Sequence, residues 1–171
     1  FGKAVRYRVF TINFYRDGKN ITEDFERGNH IKLWNILAKS KDYPSAMFTW
    51  ENTIVVIRQD AKREFFKNLT DTLGVVSEQK NIAYTMGIST QRKGYASAAR
   101  LLSEAEAARK TAVSENTSFE FYSDIGVNKI LFGVKDKSVL NEFTSAQLDE
   151  IIAYDREYKT DYAEILYEYL M

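Results

Sequence analysis

The sequence predicts an α+β fold in which helices are layered on one face of a mainly antiparallel sheet and a helical extension follows. Three observations carry this. Up to residue 124, stretches of strand period alternate with stretches of helical period. Inside Ala46–Arg58 two β-prone runs are separated by so short a connection that they pair as antiparallel neighbours. From Ile125 onward the pattern is helical throughout. The expected division is therefore a sandwich over residues 1–124 and a helical extension over 125–171.

Taken in order, Val5 to Tyr15 is rich in β-branched and aromatic residues, and its apolar phase changes midway from Val5, Tyr7 and Val9 to Phe10, Ile12 and Phe14. That shift predicts a central strand covered on both faces, or a bulge. Asp17-Gly18-Lys19-Asn20 signals a turn, and the polar stretch after it leads into a helix with Ile31, Trp34, Leu37 and Ala38 on one face. Tyr43-Pro44 ends that helix. The hairpin follows, its runs Ala46–Thr49 and Ile54–Arg58 flanking Glu51-Asn52. Asp60 then reads as the N-cap of an amphipathic helix carrying Ala61, Phe65, Phe66, Leu69 and Leu73, with Gly74 as its stop.

Ile82, Tyr84, Met86 and Ile88 alternate with Ala83, Thr85, Gly87 and Ser89, which predicts a strand with one face on the core and a face of small residues that something packs closely against. An alanine-rich helix spans about Tyr95 to Ala112, and Phe119–Tyr122 is a short strand. This order matches a ferredoxin-like sandwich, seen also in nucleotide-cyclase palms. In the extension, Thr144 and Gln147 form a capping-box pattern, Thr160 opens a further helix, and Tyr162, Ile165, Leu166, Tyr169 and Leu170 hold its apolar spacing.

Composition removes several function classes. At 171 residues the chain can bury a sizeable core. Lys+Arg and Asp+Glu are 24 each, so no global charge draws it to nucleic acid or an anionic surface. With no cysteine and one histidine, His30, thiol chemistry, disulfides and Cys/His metal sites drop out. No apolar run is long enough to span a membrane and no secretory signal is visible, so a cytoplasmic location is expected, and the abrupt start at Phe1 reads as a piece of something longer.

Tyr84-Thr-Met-Gly-Ile-Ser89, the helix containing Ser103-Glu-Ala-Glu-Ala-Ala-Arg109, and Phe121-Tyr-Ser-Asp-Ile-Gly126 together resemble the central domain of PucR/CdaR-type bacterial transcription regulators. The tail, with Tyr154-Asp155-Arg156-Glu157 at its centre, resembles the segment of those regulators that precedes their DNA-binding helix-turn-helix. In that family the central domain is a degenerate relative of the GGDEF diguanylate-cyclase fold. The resemblance implies a regulatory, non-catalytic domain that relays a signal and takes part in self-association. It implies no cofactor, no DNA binding by this stretch itself and no membrane partner, and it leaves the effector open. Where an active cyclase carries Gly-Gly-Asp-Glu-Phe, this chain has Thr49-Trp-Glu-Asn-Thr53, and where the first strand would supply a metal carboxylate it has Asn13.

The candidate residues each have a plain reading beside a functional one. Trp50, Glu51 and Asn52 are the remnant of a cyclase hairpin that could hold a nucleotide, or ordinary turn residues. Tyr154, Tyr158, Tyr162 and Tyr169 mark a contact surface or the core of the helical tail. Arg6 and Arg8, with Lys3, either clamp an anion or protect an edge strand. The Gln91-Arg-Lys-Gly94 loop either cradles a phosphate or is a solvated connection. His30 reads as a surface residue. The alternatives to a coupling domain are a small-molecule or nucleotide sensor with a degenerate cyclase cleft, and a single-stranded RNA binder, against which zero net charge and the missing RNP pattern count.

Overall fold

The computed structural model describes residues 5–39, 45–94, 97–133 and 137–170, with the side chains of 131–133, 137, 139–141, 143–144, 146–147, 167 and 169–170 outside that description. The chain forms two compact units, one reaching to Lys129 and the other beginning at Ile130.

The first unit is built on β1 (Arg6–Arg16), which lies in the middle of a mainly antiparallel sheet of order β3-β4-β1-β5-β7. β3 (Ser45–Trp50) and β4 (Thr53–Gln59) form the expected hairpin, and β5 (Ala83–Ile88) flanks β1 on the other side. β7 (Phe119–Phe121) closes the row as the parallel neighbour of β5. Two-residue strands β2 (Lys19–Asn20) and β6 (Arg92–Lys93) pair with the ends of β1.

The phase change in β1 has a simple cause: both faces of the strand are buried. Phe10, Ile12 and Phe14 share one face with Ile54, Val56, Met86 and Ile88, beneath α1 (Thr22–Leu33) and α2 (Arg63–Lys80). Val9 and Val55 face the other way, under Leu101 and Ala105 of α3 (Ala98–Ser114). The α+β class therefore holds, but the helices are not confined to one face: α3 forms a third layer on the face opposite α1 and α2. The small-residue face of β5 is what admits it. A β-carbon on Gly87 would lie 2.0 Å from the Ala105 carbonyl oxygen and 2.3 Å from the Arg109 nitrogen, so the α3 backbone rests on the strand itself.

Three helix expectations are corrected. Ile31 and Trp34 are exposed, and the inward residues are Phe25, Leu33 and Leu37. Asn29 leaves the helical region at φ −132°, with its amide donating to the Phe25 carbonyl, and a π-helical turn follows over Trp34–Ala38; together they rotate the apolar face. Gly74 does not stop α2, because Val76 still packs on the core; the helix ends at Asn81, which adopts the left-handed conformation at φ 49°. Asp60 is not its N-cap. That position falls to Lys62, which supplies no side-chain cap, and Asp60 itself is left-handed at φ 45°. Tyr43-Pro44 and Tyr95 lie outside the described residues.

The second unit contains α5 (Lys137–Tyr158) and α6 (Tyr162–Leu170), with α4 (Asn128–Gly133) at the boundary between the units. α5 begins about two turns before Thr144, so the Thr144/Gln147 pattern falls inside a helix and opens none; the side chains of both lie outside the described residues. The start of α6 is set by Asp155, whose carboxylate accepts from the Thr160 hydroxyl at 2.6 Å and from the backbone N–H groups of Tyr162 and Ala163 at 3.0 and 2.8 Å. Those bonds hold its pKa below the usual aspartate value.

Candidate functional site

The hairpin tip is where the sequence placed a remnant of cyclase chemistry. Glu51 and Asn52 both have positive φ, 45° and 57°, which gives the tight turn between paired Trp50 and Thr53 the twist that antiparallel strands favour. Asn52 is tied in place. Its backbone carbonyl accepts from the side-chain amides of Asn13 at 2.8 Å and Asn20 at 3.2 Å, while its own Oδ1 accepts from the N–H of Glu23 at 2.9 Å. The tip thereby caps α1 from outside, completing what Asn20 begins at Thr22.

Asn13, at 1% exposure, uses its remaining oxygen to accept the Thr53 hydroxyl at 3.2 Å. Asn13 and the tip are thus together, through side-chain hydrogen bonds that hold the hairpin to β1, while Asn52 Oδ1 ties it to α1. Among the described residues no group of three or more His, Asp or Glu side chains could share a metal ion. Glu51 projects from the turn into solvent, and Trp50 is 59% exposed on edge strand β3, beside exposed Phe48.

The tail tyrosines form a second cluster. Tyr154 stacks on Tyr158 with centroids 4.4 Å apart and meets Tyr162 at 5.8 Å. All three remain about half exposed, and Tyr154 and Tyr162 line a groove of about 560 Å³ with Glu150, Ile151 and Leu166. The side chain of Tyr169 lies outside the described residues. Asp155 explains the local Tyr-Asp sequence physically, since by capping α6 it folds Tyr162 back onto Tyr154.

The basic candidates resolve into structure. Arg8 lies on the central strand, so an edge-protecting role is ruled out; it donates to the carbonyls of Ala61 at 2.9 Å and Ser89 at 2.6 Å. Burial, with the nearby Arg63 charge, lowers its pKa. In the Gln91–Gly94 loop, Arg92 binds Glu104 at 3.1 Å, and Glu104 also accepts from the backbone and hydroxyl of Thr90 and from Arg100. Burial raises the Glu104 pKa, but these donors outweigh it and the net shift is downward. His30 contacts Glu26 one turn away on the surface of α1.

Arg58 went unnoticed in the sequence, where it closes a strand. It is 7% exposed, lies over the Phe65 ring at 3.9 Å, and has no hydrogen-bond acceptor for its Nη1 among the described residues.

No protein-family model and no curated protein sequence matches this chain. Among solved structures, one from Burkholderia cenocepacia described as an amidohydrolase/peptidase is similar at 10% identity and a TM-score of 0.33, over 69% of this chain. The chain spans 34% of that protein's length, and a likeness of this size carries no argument.

Proposed function

We propose that the chain is a non-catalytic regulatory domain of a bacterial transcription regulator of the PucR/CdaR type, acting in the cytoplasm and relaying a signal toward a DNA-binding domain through self-association. The observation that carries the non-catalytic part is the hairpin tip. Two-metal phosphoryl transfer needs paired carboxylates facing the substrate, and here Asn13, Asn20 and Asn52 spend their polar atoms on one another and on the start of α1. The strand order, with a hairpin beside a central first strand, supports descent from a cyclase-like sheet. The stacked, half-exposed tyrosines support a contact role for the tail.

The test is a fusion of the chain to a helix-turn-helix domain that binds its operator only as a dimer, alongside a turnover assay with GTP and magnesium. Operator occupancy by the fusion, its weakening by Tyr154→Ala, and no nucleotide product are expected. Product formation, or a fusion that stays monomeric and inert, sinks the proposal.

A further inference from the structure

A buried guanidinium without an acceptor is costly, because burial removes its water and nothing returns the hydrogen bonds. Nη1 of Arg58 is in that position among the described residues. The Phe65 ring covers one face of the planar group, and that contact gives Nη1 no acceptor. Directly across the β3–β4 ladder stands Ser45, whose hydroxyl is also buried without a partner among the described residues. Residues opposite one another in an antiparallel pair project to the same face, so two unspent donors share one side of the sheet.

Arg58 lines a groove of about 540 Å³ together with Asp60, Lys62, Glu64, Phe65 and Asn68. One wall is the first turn of α2, an 18-residue helix whose N-terminus has no side-chain cap. The Phe65 N–H donates to the Lys62 carbonyl at 3.2 Å, and the remaining N–H groups of the first turn, with the helix dipole, favour an anion. Asp60 and Glu64 also line the groove, Glu64 from the first turn of α2 itself; Asp60 accepts from the Gln91 amide at 3.5 Å, and neither carboxylate forms an ion pair with Arg58. Arg8 adds positive charge next to the helix start, where it donates to the Ala61 carbonyl, whereas the Arg63 charge is paired with Asp124 at 2.8 Å.

We propose that this groove is an oxyanion site in which the Arg58 guanidinium and the first turn of α2 hold the phosphoryl group of a small phosphate monoester. A guanidinium edge matches phosphate in a bidentate manner, and the helix start supplies further donors. The volume exceeds that of phosphate alone and falls in the range of small-molecule sites, so an organic body is accommodated beside Phe65. The site is distinct from the hairpin tip, about 17 Å away along β4 at the strand rise per residue, and does not depend on the regulator reading above.

The experiment is calorimetric titration of phenyl phosphate, inorganic phosphate and benzoate into the full chain, with amide chemical-shift mapping of the wild type. Saturable binding of phenyl phosphate is expected, with shifts at Ser45, Arg58 and Ala61–Phe65, and weakening of about tenfold or more in Arg58→Met. Arg58→Lys, which keeps the charge and loses the fork, is expected to weaken binding several-fold and serves if the methionine variant does not fold. Exposed Arg27→Gln on α1 is the neutral control. The proposal is overturned by absence of saturation, by benzoate binding as well as phenyl phosphate, by shifts confined to other surfaces, or by Arg58 variants that bind like wild type.

Discussion

The two ends of β4 treat buried polar groups in opposite ways. At the hairpin end, the Asn13 side chain and the Asn52 carbonyl are paired, and the pairing caps a neighbouring helix. At the other end, Arg58 Nη1 and the Ser45 hydroxyl are buried without a partner among the described residues, beside a helix start that has no side-chain cap. A polar group whose bonds close within the fold stabilises it and has little left for a ligand. One whose bonds stay open destabilises the fold unless something else completes it. The hairpin end, where the sequence suggested a site, is therefore the structural one, and the end without any motif is the candidate for binding.

This contrast assumes a rigid sheet, and the largest expected effect breaks that assumption. Gly87→Ala drives a methyl into the α3 backbone and is expected to cost about 3 kcal/mol or more, read as a fall in the denaturation midpoint. An unchanged midpoint would mean that α3 is not seated on β5. Next in size is Asn13→Ala at the tip. It strands the Thr53 hydroxyl, removes a donor from the Asn52 carbonyl, and is expected to cost about 2 kcal/mol by chemical denaturation.

Glu104 supplies the buried charge that is fully provided for, and so sharpens the contrast with Arg58. Its folded pKa is depressed, so its contribution is present above the unfolded value of about 4.3 and is lost as pH falls through the folded one. Glu104→Gln is expected to cost about 1–2 kcal/mol at neutral pH and to flatten the acid limb of the stability profile. A profile as steep as wild type would assign the acid sensitivity to other carboxylates.

Much of the first end could be read from the sequence, and almost none of the second. Hairpin, central strand and the small-residue face of β5 are local patterns, and Gly87 shows why such a face exists: a helix backbone lies on it. Ile31 and Trp34 misled because a kink at Asn29 and a π-helical turn shift the helical phase, and neither has a strong local signature. Asp60 misled because a left-handed backbone there moves the helix start on to Lys62. Arg58 is invisible for another reason. Its burial and its lack of an acceptor depend on a ladder partner 13 positions back and a ring on the next helix, and no periodicity encodes either.

The sign of the Arg58→Met effect is more informative than its size. In the absence of ligand the substitution removes a buried guanidinium whose Nη1 has no acceptor among the described residues and keeps apolar volume against Phe65, so stability is expected to hold or to rise by about 1 kcal/mol. Asn13→Ala goes the other way at the opposite end of the same sheet. If Arg58→Met instead destabilises as much as Asn13→Ala, both ends are structural and the contrast fails.

The smallest effect lies at the tip itself. Glu51 holds φ at 45°, where a β-branched or charged side chain gains nothing and a β-carbon crowds the backbone. It is exposed, so glycine removes that strain without opening a cavity, while the added freedom of the unfolded glycine offsets part of the gain. Glu51→Gly is expected to raise stability by about 0.5 kcal/mol, measured as a shift in the denaturant midpoint with the slope unchanged. A loss of stability in its place would show that the Glu51 carboxylate makes a contact that the turn depends on, and would return the hairpin tip to consideration as a site.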